Sequence, residues 1–224
     1  MGKMSVERNL FIPGTAGRLE ARVTEPVTGS SGSSGAIAVV LHPHPLFQGS
    51  LENKVVFTLT RAASSAGAGT IRFNFRGVGK SEGHYGEGIG ELADVHSVVS
   101  WARAQWGPEP ALWLLGFSFG AGLAIQSTRA LEGTALVTIA PPVHHLALAP
   151  EQLPACPWLI IQGEDDEIVP VPAVIDWSRK LPTQAIFELW PQVTHFFHGQ
   201  LVPLRSTVSR FLVDRIHQPL PSTS

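Results

Sequence analysis

Residues 112–125 read Leu-Trp-Leu-Leu-Gly-Phe-Ser-Phe-Gly-Ala-Gly-Leu-Ala-Ile. The first four are large and apolar, which favours a strand buried on both faces. Gly116 and Gly120 stand two residues on either side of Ser118. Because glycine has no Cβ, the chain can turn sharply there while a strand and a helix pack closely. The stretch predicts a strand, a tight turn with Ser118 at its apex, and then a helix.

Further apolar, strand-like segments recur along the chain, and helical patterns lie between most of them. The strands are expected at residues 36–41, 70–75, 111–115, 134–140, 158–162 and 185–190. The helices are expected at residues 53–66, 90–106, 119–131, 171–181 and 199–217. Strands that are apolar on both faces and alternate with helices indicate a mostly parallel sheet covered on both sides.

Two amphipathic segments, 6–12 and 18–24, precede this series with no helix between them. We expect them to add an antiparallel edge, joined by a turn at Pro13-Gly14. The Gly/Ser stretch 29–35 is interpreted as a surface loop. A length of 224 residues suits one α/β domain, so residues 1–224 are expected to form a single domain. Residues 141–157 are too few for a cap domain, which predicts an open site.

Composition excludes several classes of partner. The net charge is −2, and no basic stripe or polybasic cluster invites nucleic acid or a membrane surface. The N-terminus lacks the apolar core of a signal peptide, and no apolar run is long enough to span a membrane. The single cysteine, Cys156, cannot form an internal disulfide and is interpreted as a packed thiol. We therefore expect a soluble, cytoplasmic protein.

The turn at Ser118 has the pattern of a nucleophile elbow, Gly-x-Ser-x-Gly between a strand and a helix. Such a turn raises the serine hydroxyl above the sheet edge, beside the N–H groups that begin the helix. An ordinary glycine-rich turn can have the same sequence pattern. The interpretation therefore rests on the apolar strand before the turn and the helix after it. A serine hydroxyl is a weak nucleophile until a base removes its proton. The pattern therefore predicts an acid and then a histidine further along the chain.

Both expected residue types follow later strands. The carboxylates Glu164, Asp165, Asp166 and Glu167 come directly after the strand at 158–162, and this spacing does not choose among them. His195 follows the strand at 185–190 and His198 comes three residues later. His195 is favoured as the base because it lies in the loop, whereas His198 should lie at a helix start. His144 and His145 precede the acid and are interpreted as pocket walls.

Two backbone N–H groups are needed to bind an oxyanion. One is expected from Phe119, the residue after the serine. The other is expected from the turn after residues 36–41, where Pro43 and Pro45 have no N–H to give. His44 is therefore the predicted donor, with Leu46 as the second choice. His42 and His44 could suggest a metal-binding pair, but no cysteine or carboxylate cluster accompanies them at ligand spacing. No metal or other cofactor is therefore expected.

Several blocks together resemble a family of small, cap-less α/β hydrolases. The blocks are His42-Pro43-His44-Pro45-Leu46-Phe47, Asn53-Lys54-Val55-Val56, residues 72–83, Gly116-Phe117-Ser118-Phe119-Gly120, residues 163–170 and residues 194–199. The resemblance implies an α/β-hydrolase fold and a catalytic triad of Ser118, Asp166 and His195. It selects Asp166 because the pattern Gly-x-x-Asp-x-x-Val-Pro places its aspartate there. Gln48 departs from the family pattern, in which glycine is expected.

The function that follows is hydrolysis of an ester or thioester bond through an acyl-enzyme. A small-molecule acyl substrate is expected, bound by an apolar pocket. The side chains expected to line it are Leu46, Phe47, Phe117, Phe119, Phe196 and Phe197. The alternatives are a peptidase of the same fold and a non-catalytic binding or scaffold protein, although a binding role would not require serine, acid and histidine together.

A second glycine-rich block, Arg76-Gly77-x-Gly79-x-Ser81-x-Gly83, superficially resembles a phosphate loop. It lacks the Gly-Lys-Ser/Thr ending and the spacing of dinucleotide-binding loops. It is interpreted as a structural turn that Arg76 ties to a nearby acid. Glu91 and Asp94 are interpreted as charges that favour the start of the next helix.

Overall fold

One eight-stranded sheet organises the computed structural model, which describes residues 6–26, 35–108, 110–146, 148–181 and 185–216. Its strands are β1 (Arg8–Gly14), β2 (Gly17–Thr24), β3 (Ile37–Leu41), β4 (Gly69–Phe73), β5 (Leu112–Phe117), β6 (Ala135–Ile139), β7 (Trp158–Gly163) and β8 (Ala185–Trp190). They lie in the order β1-β2-β4-β3-β5-β6-β7-β8. β1 and β2 pair antiparallel, β2 also pairs antiparallel with β4, and the remaining pairs are parallel. The antiparallel N-terminal edge is confirmed.

The first hairpin turns later than predicted. Pro13 pairs with Arg18 inside the ladder and Gly14 pairs with Gly17, so the turn consists of Thr15 and Ala16. Pro13 is tolerated in β1 because this strand is at the edge of the sheet. Residues 29–34 of the predicted surface loop lie outside the described residues.

Five helices connect the strands. They are α1 (Lys54–Ser65), α2 (Ile89–Trp106), α3 (Phe119–Thr128), α4 (Val171–Ser178) and α5 (Leu201–Ile216). α1 begins where the Asn53 side chain accepts hydrogen bonds from the N–H groups of Val55 and Val56. α3 and α4 end earlier than predicted, and the predicted end of α5 at residue 217 lies outside the described residues. No helix within the described ranges is long and apolar enough to cross a membrane.

The sheet separates two apolar cores. Ala38 and Val40 of β3 face a core formed with α1 and α5. Val39 and Leu41 of the same strand face a second core formed with α2 and α3. Alternate residues point to opposite faces of a strand, so a strand buried on both sides must be apolar throughout. The parallel sheet covered on both faces is confirmed.

The strand order reverses direction at β3. Along the chain β4 is added on one side of β3 and β5 on the other, and Leu41 pairs with Gly116. The loops that leave β3 and β5 are therefore neighbours and border a crevice at the carboxyl edge of the sheet. Open α/β sheets bind their ligands at such a point. Residues 141–157, described except for 147, contain two short 3₁₀ turns and no cap domain, so this edge is open.

The first turn of α3 packs directly on the end of β3. A Cβ atom added to Gly120 would lie 2.5 Å from the Leu41 carbonyl oxygen and 2.6 Å from that of His42. Both contacts are to backbone, which cannot move aside cheaply. Two residues later in α3 the packing is looser, because a Cβ on Gly122 would lie 3.5 Å from Pro142 Cγ and 3.6 Å from Leu146 Cδ2.

Gly120→Ala is expected to lower the free energy of unfolding by about 3 kcal/mol, the upper end of the cost of overpacking. Gly122→Ala is the matched control, and it should be at least as stable as wild type because alanine favours the helix. Urea denaturation of the three proteins measures both effects. Equal destabilisation by the two substitutions would contradict the close contact between α3 and β3.

His42 ties the end of β3 to the end of β4. Its side chain is buried, with Nδ1 2.6 Å from the Pro43 carbonyl oxygen and Nε2 3.0 Å from the Phe75 nitrogen. A backbone N–H can only donate, so Nε2 accepts from Phe75 and the Nδ1–H donates to Pro43. The ring is therefore neutral. Burial lowers its pKa from 6.5 to about 4, against the opposing effect of the Pro43 hydrogen bond.

This depressed pKa predicts acid sensitivity with a defined sign. The unfolded chain takes up a proton at His42 near pH 6.5, but the folded protein does so only near pH 4. The stabilisation by neutral His42 is therefore complete above pH 6.5 and is lost as the pH falls from 6.5 to about 4. Between pH 7 and pH 4, the free energy of unfolding of the wild type should fall by about 3 kcal/mol more than that of His42→Gln. Parallel denaturation curves at the two pH values measure this difference. The same loss in both proteins would show that His42 titrates normally.

Candidate active site

Ser118 occupies a strained turn between β5 and α3. Its φ of 53° and ψ of −120° lie in a region that residues with a side chain rarely adopt, at a cost of about 1–3 kcal/mol. The Ser118 N–H donates to the Ile139 carbonyl, and the Ser118 carbonyl accepts from Ala121. A Cβ on Gly116 would overlap the backbone of Gly120. The glycines predicted to permit the turn are thus required by close backbone contacts.

Three side chains from three loops form one hydrogen-bonded series. His195 Nε2 lies 3.1 Å from Ser118 Oγ, and His195 Nδ1 lies 2.8 Å from Asp166 Oδ2. The loops follow β5, β7 and β8, whose parallel carboxyl ends share one edge of the sheet. The side chains of His195 and Asp166 are almost fully buried, at 3% and 0% exposed. The imidazole can therefore accept from the serine hydroxyl while its other nitrogen donates to the carboxylate.

Asp166 is held as a carboxylate by several donors. Its Oδ1 accepts from the N–H groups of Ile168 and Val169, and its Oδ2 also accepts from Gln162 Nε2. Burial by itself raises the pKa of this carboxyl, but the hydrogen bonds from His195, Val169 and Ile168 outweigh burial and hold the pKa below its usual range. A carboxylate that stays ionised can orient the imidazole and stabilise its positive form.

Two neighbours of this series were missed from the sequence. Glu167 Oε2 accepts from the His195 N–H at 3.1 Å, so this acid fixes the backbone of the histidine loop. Gln162 lies in a segment that the apolar pattern predicts only as a strand, although a polar residue at the end of β7 indicates a buried contact. Glu164 and Asp165 are exposed. His198 is also exposed and lies before α5 rather than inside it.

The predicted pocket residues divide into two groups. Phe47 and Phe196 line the cleft above Ser118. Phe117 requires a correction, because its side chain is fully buried in the core beneath the site. Its ring lies 5.0 Å from that of His195 and supports the imidazole instead of contacting substrate. Leu46 is 66% exposed and does not line the cleft, since the turn points it to solvent.

Among the other aromatic candidates, Phe119 lines the cleft, whereas Phe197 is fully buried in the core. The expected pocket walls His144 and His145 also line the cleft.

The N–H groups of His44 and Phe119 have no acceptor within the described part of the chain. Both residues line the cleft beside Ser118. The second choice, Leu46, instead donates its N–H to His44 Nδ1 at 3.2 Å. Gln48 ends this turn at φ 61°, a left-handed conformation that favours glycine.

The cleft has a volume of about 950 Å³ and mixed walls. Besides the residues already given, its lining includes Tyr85, Glu87, Ile89, Leu123, Gln126 and Leu146. In the ranges that the structure describes, no three His, Cys, Asp or Glu side chains are grouped so as to hold a metal ion.

One wall of the cleft is a loop that buried acids hold in place. Arg76 pairs with Asp94 at 2.7 Å, as the sequence predicted for Arg76 and a nearby acid. Glu91 accepts from the N–H groups of Gly86 and Gly88. Glu91 lies in the first turn of α2 and accepts from the Gly88 N–H at the helix start, as expected of a helix-start charge. Asp94 lies beyond that turn, so its role is corrected: it is buried against Arg76 and, with Glu91, holds the loop that carries Tyr85.

Comparison of the sequence with known proteins shows the family to which the chain belongs. Residues 16–151 match the model of the family described as X-Pro dipeptidyl-peptidase (S15 family). An uncharacterised protein of Rickettsia prowazekii is 31% identical over 216 residues, covering 91% of this chain and 88% of that protein.

Two solved structures are similar over nearly their whole length. A serine hydrolase without a lid from Xanthomonas campestris is 39% identical with a TM-score of 0.85, covering 96% of this chain and 97% of that one. A serine hydrolase homologue from Coxiella burnetii is 38% identical with a TM-score of 0.83, covering 92% and 97%. The fold, the open cleft and these similarities agree: the chain belongs to the S15 family of α/β hydrolases and is similar to small serine hydrolases without a lid.

Proposed function

We propose that this serine-hydrolase fold cleaves carboxylic ester or thioester bonds of small molecules, with Ser118 as nucleophile. The observation that carries the proposal is the position of His195, within hydrogen-bonding distance of both Ser118 Oγ and Asp166 Oδ2. A base joined to a nucleophile on one side and to an orienting acid on the other is the arrangement that activates a serine hydroxyl.

In the first half of the reaction, Ser118 Oγ attacks the acyl carbon and its proton passes to His195 Nε2. Asp166 stabilises the imidazolium through Nδ1–H. The carbonyl oxygen gains negative charge, which the N–H groups of His44 and Phe119 bind; donors of this kind contribute about 3–4 kcal/mol each. When the tetrahedral intermediate collapses, His195 returns the proton to the leaving alcohol or thiol, and the acyl group remains on Ser118.

Water completes the cycle. His195 takes a proton from a water molecule, whose oxygen attacks the acyl carbon, and then returns that proton to Ser118 Oγ as the acid leaves. The open cleft supports this step because water can reach the acyl-enzyme from the solvent side.

A peptidase is the second candidate, favoured by the family match over residues 16–151. Removal of an X-Pro dipeptide requires a partner for the substrate's N-terminal ammonium group. Glu87 is the one carboxylate among the described residues that line the cleft, and it is exposed to solvent. A solvated ion pair contributes little to binding, which favours the ester substrate.

Ser118→Ala is expected to lower the hydrolysis of a short p-nitrophenyl ester by at least about 10⁴-fold, because the nucleophile is lost. Ser127→Ala is the matched control: this serine is in α3, the helix that follows Ser118, and its buried hydroxyl has no hydrogen-bond partner among the described residues, so activity should persist. Labelling with a fluorophosphonate probe should likewise require Ser118. Undiminished activity in Ser118→Ala would overturn the assignment, and an unlabelled, inactive wild type would favour a non-catalytic protein.

One comparison of kcat/KM values distinguishes the proposed esterase activity from the peptidase activity. Wild type should hydrolyse p-nitrophenyl butyrate with a kcat/KM at least about 100-fold above that for Gly-Pro p-nitroanilide. The reasons are that the apolar part of the cleft wall binds the acyl chain, that the p-nitrophenyl ester is the more reactive bond, and that the ammonium group of the dipeptide lacks a buried anionic partner. Both reactions release a chromophore and can be followed in the same buffer. The reverse order of rates would establish the peptidase.

A further inference from the structure

His44 and Tyr85 form a hydrogen-bonded pair in the wall of the cleft. His44 Nε2 lies 3.1 Å from the Tyr85 hydroxyl oxygen, and the two ring centroids are 5.1 Å apart. The same histidine ring lies 4.8 Å from that of Phe119. The Tyr85 ring lies 6.3 Å from that of Phe119, so Tyr85 is close to the side chains of both residues that we propose as oxyanion donors. The mechanism uses their backbones and leaves the side-chain pair without a role.

The direction of this hydrogen bond follows from the backbone. The Leu46 N–H points to His44 Nδ1 at 3.2 Å, so Nδ1 must be the accepting nitrogen. In a neutral imidazole the proton is then on Nε2. Burial lowers the pKa of His44, which keeps the ring neutral near pH 7. His44 therefore donates its Nε2–H to the Tyr85 oxygen.

Because the Tyr85 oxygen receives this hydrogen bond, its own proton is free to be donated elsewhere. No acceptor for that proton lies among the described residues. Burial, together with the charges of Glu91 and Glu87, raises the pKa of Tyr85, so the hydroxyl keeps its proton. The result is an oriented, unused donor in the wall of the cleft that contains Ser118.

The geometry points to Tyr85 as a specificity residue that donates a hydrogen bond to an uncharged oxygen of the substrate, near the bond to be cleaved. This inference rests on the proposed ester hydrolysis. The acceptor is uncharged because the carboxylates Glu87 and Glu91 lie near Tyr85 and repel an anion. Ethers and second ester carbonyls are acceptors of this kind. His44 is the positioning residue, since its Nε2–H fixes the tyrosine oxygen.

The test compares ester pairs that differ only by an ether oxygen in place of a methylene. Three pairs place this oxygen differently: methoxyacetate with butyrate, 3-methoxypropionate with pentanoate, and 2-methoxyethyl acetate with butyl acetate. For each pair, the ratio of kcat/KM values is measured by pH-stat in wild type and in Tyr85→Phe. Intrinsic differences in reactivity cancel when the two ratios are divided.

Tyr85→Phe should lower the ether-to-methylene ratio about three- to ten-fold in at least one pair, the contribution of one neutral hydrogen bond. Phe47→Leu is the control: it removes another ring that contacts His44, with centroids 5.0 Å apart, but no hydroxyl. Phe47→Leu should change kcat/KM by the same factor for the ether and the methylene ester of each pair, so their ratio stays constant. Unchanged ratios in Tyr85→Phe, or an equal loss on ethers and methylenes, would overturn the inference.

Failure of the proposed function is a separate outcome. If wild type hydrolyses none of these esters, ester hydrolysis is wrong, and the ratio is then measured as relative binding of the intact esters by titration calorimetry. A preference for the ether that is lost in Tyr85→Phe would still support the role of Tyr85. Equal affinities in both proteins would refute it.

Discussion

The hydrogen bond between His195 and Asp166 is the interaction on which the arrangement of the site depends. It joins the loops after β7 and β8, and it aims the other ring nitrogen at Ser118, which follows β5. A one-residue slip of any of these strands would turn the side chain to the opposite face. The register of the sheet therefore sets the geometry of the candidate site, and the apolar faces that fix the register are as important to it as the three polar side chains.

The sequence was sufficient for those parts of the molecule that local chemistry determines. Ser118 is recognisable because a strained turn needs glycines at close backbone contacts, and the central strands are recognisable because burial on both faces leaves only apolar residues. Pro13 misled the placement of the first turn, since at a sheet edge a proline can remain within the strand. Phe117 misled the pocket assignment, since a residue beside the nucleophile can point down into the core as readily as up into the cleft.

The remaining features could not be read from the sequence because they depend on burial or join residues distant along the chain. Asp94 looks like an ordinary acid near the start of a helix, but it is buried against Arg76 and holds the loop at 76–88, to which the helix-start acid Glu91 also bonds. A buried charge is tolerated only when it is paired and hydrogen-bonded. Glu167 likewise gains its role only when the loops after β7 and β8 meet, whereas Gln162 reaches Asp166 four residues away at the buried end of β7. The wall of the cleft thus depends in part on the Arg76–Asp94 pair, which joins residues distant along the chain.

The absence of a cap changes what the cleft walls must do. A capped hydrolase can select substrate with the cap and exclude water by closing it, whereas here the fixed loops carry the whole of that selection. Apolar walls distinguish substrates weakly, because one methylene contributes only about 1–3 kcal/mol. A preorganised polar group distinguishes them more sharply, since its partner is either present or missing. In this cleft the Tyr85 hydroxyl has that property, because His44 orients it and buried acids hold its loop. On the proposed function, selectivity therefore comes from polar groups that the cleft wall holds in place before substrate binds.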